Sequence, residues 1–405
     1  MCSQSSGSPV DMFDKFCDLT SFTQMVSRLM VTEIRRRASS KTTENASQAI
    51  VEFLEMPPTL ESPSDKKGWA LLTTLNLLVC SNSAPIISIM TSNSMTSTLV
   101  KCLYLFFDLP PINENQSSSI SESHEELSPM DRRLLLQKVF SQLLTRLCSS
   151  HSALVELTRK DDLMLLFNAI TSWCPKHNSL WRKTASDVII TMAKNNNISG
   201  EYLHQKGCIS LFVENMQRML ELGTTGTTDI IEMLSTLINF FSEMVAINGN
   251  SSSANLLLED FKNGFGYNFL IDFCLKLEQS SEDLDSLKRL VLLVAQMTKV
   301  GTRELKPRPL SVNHLFIMEE FSMPKTTTKN SIKNLSAFNV FQTVWMRCKT
   351  PVLQHMILDS MLILYREDNA NYFILDSQNT LSQFAEKLQS KSCDVQVIIQ
   401  FRGVV

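Results

Sequence analysis

The sequence predicts an all-α chain, an armadillo- or HEAT-like α-solenoid of roughly fifteen helices. Apolar residues return at helical spacing almost everywhere, and period-two alternation is confined to the last dozen residues. Glycine (11) and proline (13) are scarce in 405 residues, too few for the frequent turns of a sandwich, barrel or propeller. A chain this long exceeds one compact core but suits an array in which each unit packs on its neighbours.

The helices follow in order. Stripes cover residues 14–37, 45–56, 68–80 and 96–107. The next is the clearest: Leu136, Val139, Phe140, Leu143, Leu144 and Leu147 form one apolar face, and Ser128-Pro129 supplies an N-cap and a first-turn proline. Stripes at 160–173, 181–194 and 208–222 precede Ile230, Met233, Leu234, Leu237, Phe241, Met244 and Val245, opened by Thr227-Thr228-Asp229. Further stripes lie at 255–262, 267–279, 284–299 and 333–348. Leu353, Met356, Ile357, Met361 and Leu364 follow Pro351, and a last stripe spans 371–388. The aromatic groups Phe106-Phe107, Trp173, Trp181 and Phe240-Phe241 are expected between helices. Loosely recurring helix pairs fit degenerate units of about 40–47 residues.

Around this body, residues 1–10 form a disordered leader and 11–388 the solenoid. Within it, the polar, serine-rich 109–128 is expected to be a mobile loop, and the proline-bearing 301–332 an irregular segment. Residues 389–405 are a divergent tail whose stretch Val395–Phe401 is β-branched and uncharged, the mark of an aggregation-prone strand. Self-association through that end is expected.

Composition excludes several function classes. With 38 basic and 41 acidic residues the chain has no bulk attraction for nucleic acid or anionic lipid. Ten cysteines, with no C-x-x-C pair and several inside apolar stripes (Cys102, Cys148, Cys274), read as reduced thiols of a cytoplasmic protein. No secretory signal opens the chain, Cys2 precludes N-terminal myristoylation, and no apolar run is long enough to span a bilayer. No phosphate loop, nucleophile elbow or metalloprotease helix occurs. Cys174 and His177 stand three apart, but zinc needs about four ligands. Catalytic, cofactor and metal residues are therefore expected to be none, and the expected partners are proteins.

Two local features invite a sharper reading. Arg35, Arg36 and Arg37, with Arg28 and Lys41, are the densest basic cluster, but three consecutive arginines fan around a helix. They read as a solvated helix end whose cations suit the C-terminal dipole. Phe16-Cys17-Asp18-Leu19 and Tyr372-Phe373-Ile374-Leu375 match an aromatic-x-x-aliphatic motif read by autophagy modifiers. Both lie in helical patterns, whereas such a ligand must be extended and free.

Longer stretches carry a resemblance. VSRLMVTEIRRRAS at 26–39, GWALLTTLNLL at 68–78 and STLVKCLYLFFDLP at 97–110 are three of them. KDDLMLLFNAITSWCP at 160–175 and above all DNANYFILDSQNTLSQFAEKL at 368–388 are two more. Together they resemble the N-terminal region of the WD-repeat and FYVE-domain BEACH proteins, the blue cheese-like family of the autophagy-linked FYVE protein. The resemblance runs from about Phe13 to Leu388 and implies an armadillo-like scaffold segment in selective autophagy and aggregate clearance. The family's BEACH, WD40 and FYVE modules lie outside this sequence, so no lipid or zinc residue carries over. A vesicle-trafficking BEACH scaffold and an unrecognised enzyme are the alternatives.

Overall fold

A computed structural model describes residues 18–39, 43–57, 67–112, 127–195, 198, 200–223, 225–248, 252–279, 284–302, 305–306, 325 and 330–376. Of these, 84% are helical. The chain divides into two compact units, Met1–Ile198 and Ser199–Val405.

The first unit holds nine helices among its described residues: α1 (Leu19–Ser39), α2 (Thr43–Leu54), α3 (Lys67–Cys80), α4 (Ala84–Ser92), α5 (Met95–Leu105), α6 (Pro129–Cys148), α7 (His151–Arg159), α8 (Asp162–Thr171) and α9 (Ser179–Lys194). The expected cap of α6 is present, with the Ser128 hydroxyl accepting from Asp131 N at 3.1 Å. Leu136, Phe140, Leu143, Leu144 and Leu147 of its stripe are buried, and Val139 is half-buried. Phe106, Phe140 and Trp181 bring three elements together, with ring centroids 4.8 to 5.7 Å apart. Packing recurs with a three-helix period: α1 on α4, α3 on α6, α4 on α7, α5 on α8, α6 on α9.

The second unit repeats that logic with α10 (Gly200–Gln205), α11 (Cys208–Leu222), α12 (Thr227–Asn248), α13 (Ser252–Asn263), α14 (Gly266–Gln279), α15 (Leu284–Thr298), α16 (Leu335–Arg347), α17 (Pro351–Glu367) and α18 (Asn369–Asp376). Here α10 packs on α13, α11 on α14 and α12 on α15. Phe240, Phe241, Phe261, Phe269 and Phe273 fill its core. In both units the substantial contacts join helices close in chain order, the packing of an α-solenoid. No strand occurs among the described residues.

Several expectations need correction. Helices α4, α7 and α10 did not stand out in the sequence, because nine, nine and six residues hold too little of a stripe. The repeat is a helix triplet rather than a pair. Its interval also exceeds about 40–47 residues, since α11 begins at Cys208 and its counterpart α14 at Gly266. The leader, the tail and residues 113–126, 307–324 and 377–388 lie outside the described residues.

Candidate protein-binding surface

Helix α1 buries Leu19, Thr23, Val26, Ser27, Met30, Val31 and Ile34, a stripe that turns inward onto α2, α3 and α4. The opposite stripe faces out. Ser21, Gln24, Met25, Arg28, Leu29 and Thr32 line an open depression of about 470 Å³. Met25 is 58% exposed and Phe22 beside it 40%, large values for apolar side chains. Asp18 starts the helix by accepting from Ser21 N at 3.2 Å and from the Thr20 hydroxyl at 2.6 Å. The Ser21 hydroxyl also donates to it, and these bonds, Ser21 first, hold the Asp18 carboxyl down at about 2.

The basic cluster resolves into separate environments. Arg36 pairs with Glu33 at 3.0 Å, while Arg37 stacks over the Phe53 ring at 4.4 Å. Arg28 donates to the neutral amide of Asn93 at 3.3 Å, and Arg35 is exposed. The arginines do fan around the helix. The outward stripe nevertheless keeps Arg28 amid apolar contacts, a pairing that composition alone does not show. Lys41 lies outside the described residues.

The described parts of the two modifier-type motifs, Asp18-Leu19 and Tyr372–Leu375, do not offer an extended ligand. Leu19, Ile374 and Leu375 are buried inside or at the start of helices, and Phe16 and Cys17 lie outside the described residues. Cys174 is buried against its own loop, and His177 is engaged, Nε2 to Leu109 O, at 2.8 Å. Asn178 donates to Phe107 O and Leu109 O at 2.9 and 2.7 Å, so the whole turn anchors the chain after α5. Among the described residues no group of three or more His, Cys, Asp or Glu is arranged to hold a metal. Trp173 overturns the packing expectation: it is 61% exposed, because α8 ends at Thr171 and the chain turns outward before it. Trp181 and the four paired phenylalanines are buried as expected.

One polar cluster escaped the sequence reading. The N-cap of α5, Ser94, sits at φ 67° with no side-chain cap. Glu156 of α7 supplies the acceptor instead, taking the bond from Ser97 N at 2.9 Å. The Ser97 hydroxyl donates to Asp162 of α8 at 2.5 Å. Both acids are 3% exposed and sit at the positive end of α5. Lys160 and Lys101 reach them at 3.5 and 3.4 Å. Two buried carboxylates around a serine resemble catalytic furniture, yet both tie α5, α7 and α8 together, with Glu156 Oε2 buried and without a hydrogen bond among the described residues. Glu156 was discoverable: it sits between Ala153, Leu154 and Leu157 on the inward side of α7, an acid where the stripe demands an apolar residue.

The second unit has a smaller polar depression of about 270 Å³, where Tyr267, Asn334, Lys262 and Ser336 meet. Tyr267 and Asn334 exchange hydrogen bonds at 2.8 and 3.1 Å, and burial pushes the phenol up to about 12. Among the described residues no helix is long and apolar enough to cross a membrane.

No family model matches the chain. Two solved structures align with it, an engineered protein (15% identity, 80% of this chain and 98% of that one, TM-score 0.34) and a computationally designed self-assembling cyclic homo-oligomer (9%, 95% and 96%, TM-score 0.20). At those scores neither bears on the fold. Curated relatives say more. WD repeat- and FYVE domain-containing protein 4 of Mus musculus is 27% identical over 387 residues, and that of Homo sapiens 27% over 388. Each match covers 94% of this chain and only 11% of the relative. Across nearly its whole length, therefore, the chain is related to one region, about a ninth, of the WD repeat- and FYVE domain-containing proteins.

Proposed function

We propose that this chain is a non-catalytic α-solenoid scaffold segment of a BEACH-type protein acting in selective autophagy, in the clearance of protein aggregates. The observation that carries it is the match over 94% of the chain to large proteins named for their WD repeats and FYVE domain. A helical segment within such a protein serves to hold partners. The triplet packing supports this, since stacked helices present extended faces suited to protein ligands. The two buried acids support the non-catalytic part, because both are engaged in joining helices. The segment works in the cytoplasm and binds proteins, not nucleic acid, and does not itself insert into a membrane.

The test is to delete the coding region of this chain in its own cells and follow an aggregating reporter alongside a secretory cargo. Aggregates should accumulate while the cargo sorts normally, and re-expression of the chain within its native protein should clear them. Missorted cargo with normal clearance would favour the vesicle-trafficking alternative.

A further inference from the structure

We propose that the outward face of α1 docks an acidic amphipathic helix of a partner protein. This rests on the scaffold reading above and commits it to one surface and one ligand chemistry.

The first support is shape. Ser21, Gln24, Met25, Arg28, Leu29 and Thr32 follow i, i+3, i+4, i+7, i+8 and i+11, three turns of one helix. Such a row spans about 16 Å and offers ridges into which another helix can seat its own. The described part of this face belongs to a helix, whose backbone bonds are made internally, so it has no strand edge to extend. A proline-rich ligand would need a groove walled by several aromatics, and Phe22 is the only aromatic residue of α1.

The second support is chemistry. Phe22, Met25 and Leu29 form the apolar part, and methionine adapts its shape to a partner at little cost. Charge fixes the sign of the ligand. Arg28 lies in the middle of the stripe and Arg35 follows toward its C-terminal end. The two acids at this helix are engaged elsewhere: Asp18 by Thr20 and Ser21, Glu33 by Arg36 and Arg37. Among the described residues the side-chain hydrogen bond of Arg28 goes to the neutral Asn93 amide. A carboxylate from the partner, laid over Met25 and Leu29, would meet Arg28 in the bidentate geometry that guanidinium favours. One helix face buries less than a standard interface, so the affinity expected is about micromolar.

A display library of helical 16-residue peptides, panned on the full chain, tests this directly. Enriched peptides should carry an acid flanked at i, i+3 and i+4 by apolar residues. Their binding should weaken by about tenfold or more in Arg28→Glu and in Met25→Glu, since each sets a like charge against the peptide's acid. It should also weaken as salt rises from about 50 to 300 mM. Both positions are exposed, so circular dichroism and melting should stay unchanged, and Leu292→Glu on the second unit should bind as wild type. Enrichment of basic or neutral peptides, or binding indifferent to the α1 variants, overturns the proposal. So does stronger capture of vesicles containing phosphatidylserine through Arg28 than of any peptide. Peptides that respond to Leu292→Glu but not to Arg28→Glu would sink this surface while leaving the scaffold reading intact, which the cellular deletion judges separately.

Discussion

The two units are built from the same helix-triplet packing, and both mix charged with neutral joints: Asn178 holds the chain after α5 in the first, and Glu278 caps the start of α17 in the second. In the first, carboxylates hold several joints: the buried Glu156 and Asp162 at the head of α5, and the half-buried Glu55 between Arg132 and Arg133 at 3.8 and 3.4 Å. In the second, neutral amides do so at the α16 and α18 ends. Asn371 accepts from Ile332 N at 2.8 Å and donates to Leu364 O and Asn330 O at 2.7 and 3.1 Å. Asn334 caps α16 through Ala337 N at 3.0 Å while pairing with Tyr267. A buried carboxylate accepts only and must find donors or cations; an amide gives and takes and needs no counter-charge. A charged joint should therefore be more easily broken by a single side chain than a neutral one.

The largest effect sharpens the comparison at the backbone. A Cβ on Gly68 would lie 1.8 Å from the carbonyl oxygen of Phe53, and a Cβ on Gly266 would lie 2.5 Å from the Phe261 ring. A carbonyl fixed in α2 cannot step aside, whereas a ring can turn. Gly68→Ala should destabilise the first unit by about 3 kcal/mol or more, and Gly266→Ala the second by about 1–3 kcal/mol. Peptide-resolved hydrogen exchange reads each unit separately. Equal losses would show that the α2–α3 approach relaxes as freely as a side chain.

Next come the joints themselves. Glu156→Ala leaves Ser97 N without its acceptor and Lys160 without its partner, and should cost the first unit about 2–4 kcal/mol. Asn371→Ala strands Ile332 N and should cost the second about 1–3 kcal/mol. Denaturant titration followed through Trp181 and Trp345 reports the two units. If Asn371→Ala costs as much as Glu156→Ala, the distinction between charged and neutral joints fails.

Much of this architecture was legible in the sequence, and the exceptions share a cause. Long stripes such as that of α6 or α12 declare their buried face, because periodicity over several turns outweighs local noise. Ser128-Pro129 and Pro351 marked two helix starts correctly. The triplet period stayed hidden because its middle members, α4, α7 and α10, are short. Exposure of Trp173 depended on where α8 ended, a boundary that pattern places only to within a few residues. The outward face of α1 was half legible. Its residues belong to a stripe, but Met25 and Leu29 read as ordinary apolar positions until the neighbours of α1 are known to lie on the other side.

Titration offers a gentler probe, first at the alkaline end and in the second unit. Burial raises Tyr267 from its ordinary 10 to about 12, against the opposing bond from Asn334. A phenol with a raised folded pKa holds its proton longer folded than unfolded. The stability it contributes is intact below pH 10 and erodes as pH climbs through 12. Tyrosinate absorbance should show a late-titrating component that disappears in Tyr267→Phe. A titration that shows all five tyrosines ionising together would contradict the buried pairing with Asn334.

The smallest effect lies at the acid end and in the first unit. Asp18 is held at about 2, below its ordinary 3.8, by Ser21 and Thr20 at the start of α1. Its folded form prefers the charge, so its contribution is present above pH 3.8 and is lost as pH falls through 2. The carboxylate is fully exposed, so the loss should fray the first turn rather than unfold the unit. The Ser21 amide resonance should move between pH 4 and 2 while the Phe106–Phe140–Trp181 cluster keeps its chemical shifts. In Asp18→Asn the amide should stay nearly still over the same range, because an asparagine side chain caps without titrating. Fraying that ran on to Met25 and Arg28 at low pH would show that the cap also steadies the outward face. Peptide capture by that face would then weaken with acid more steeply in wild type than in Asp18→Asn, the protonation of the peptide's own acid being common to both.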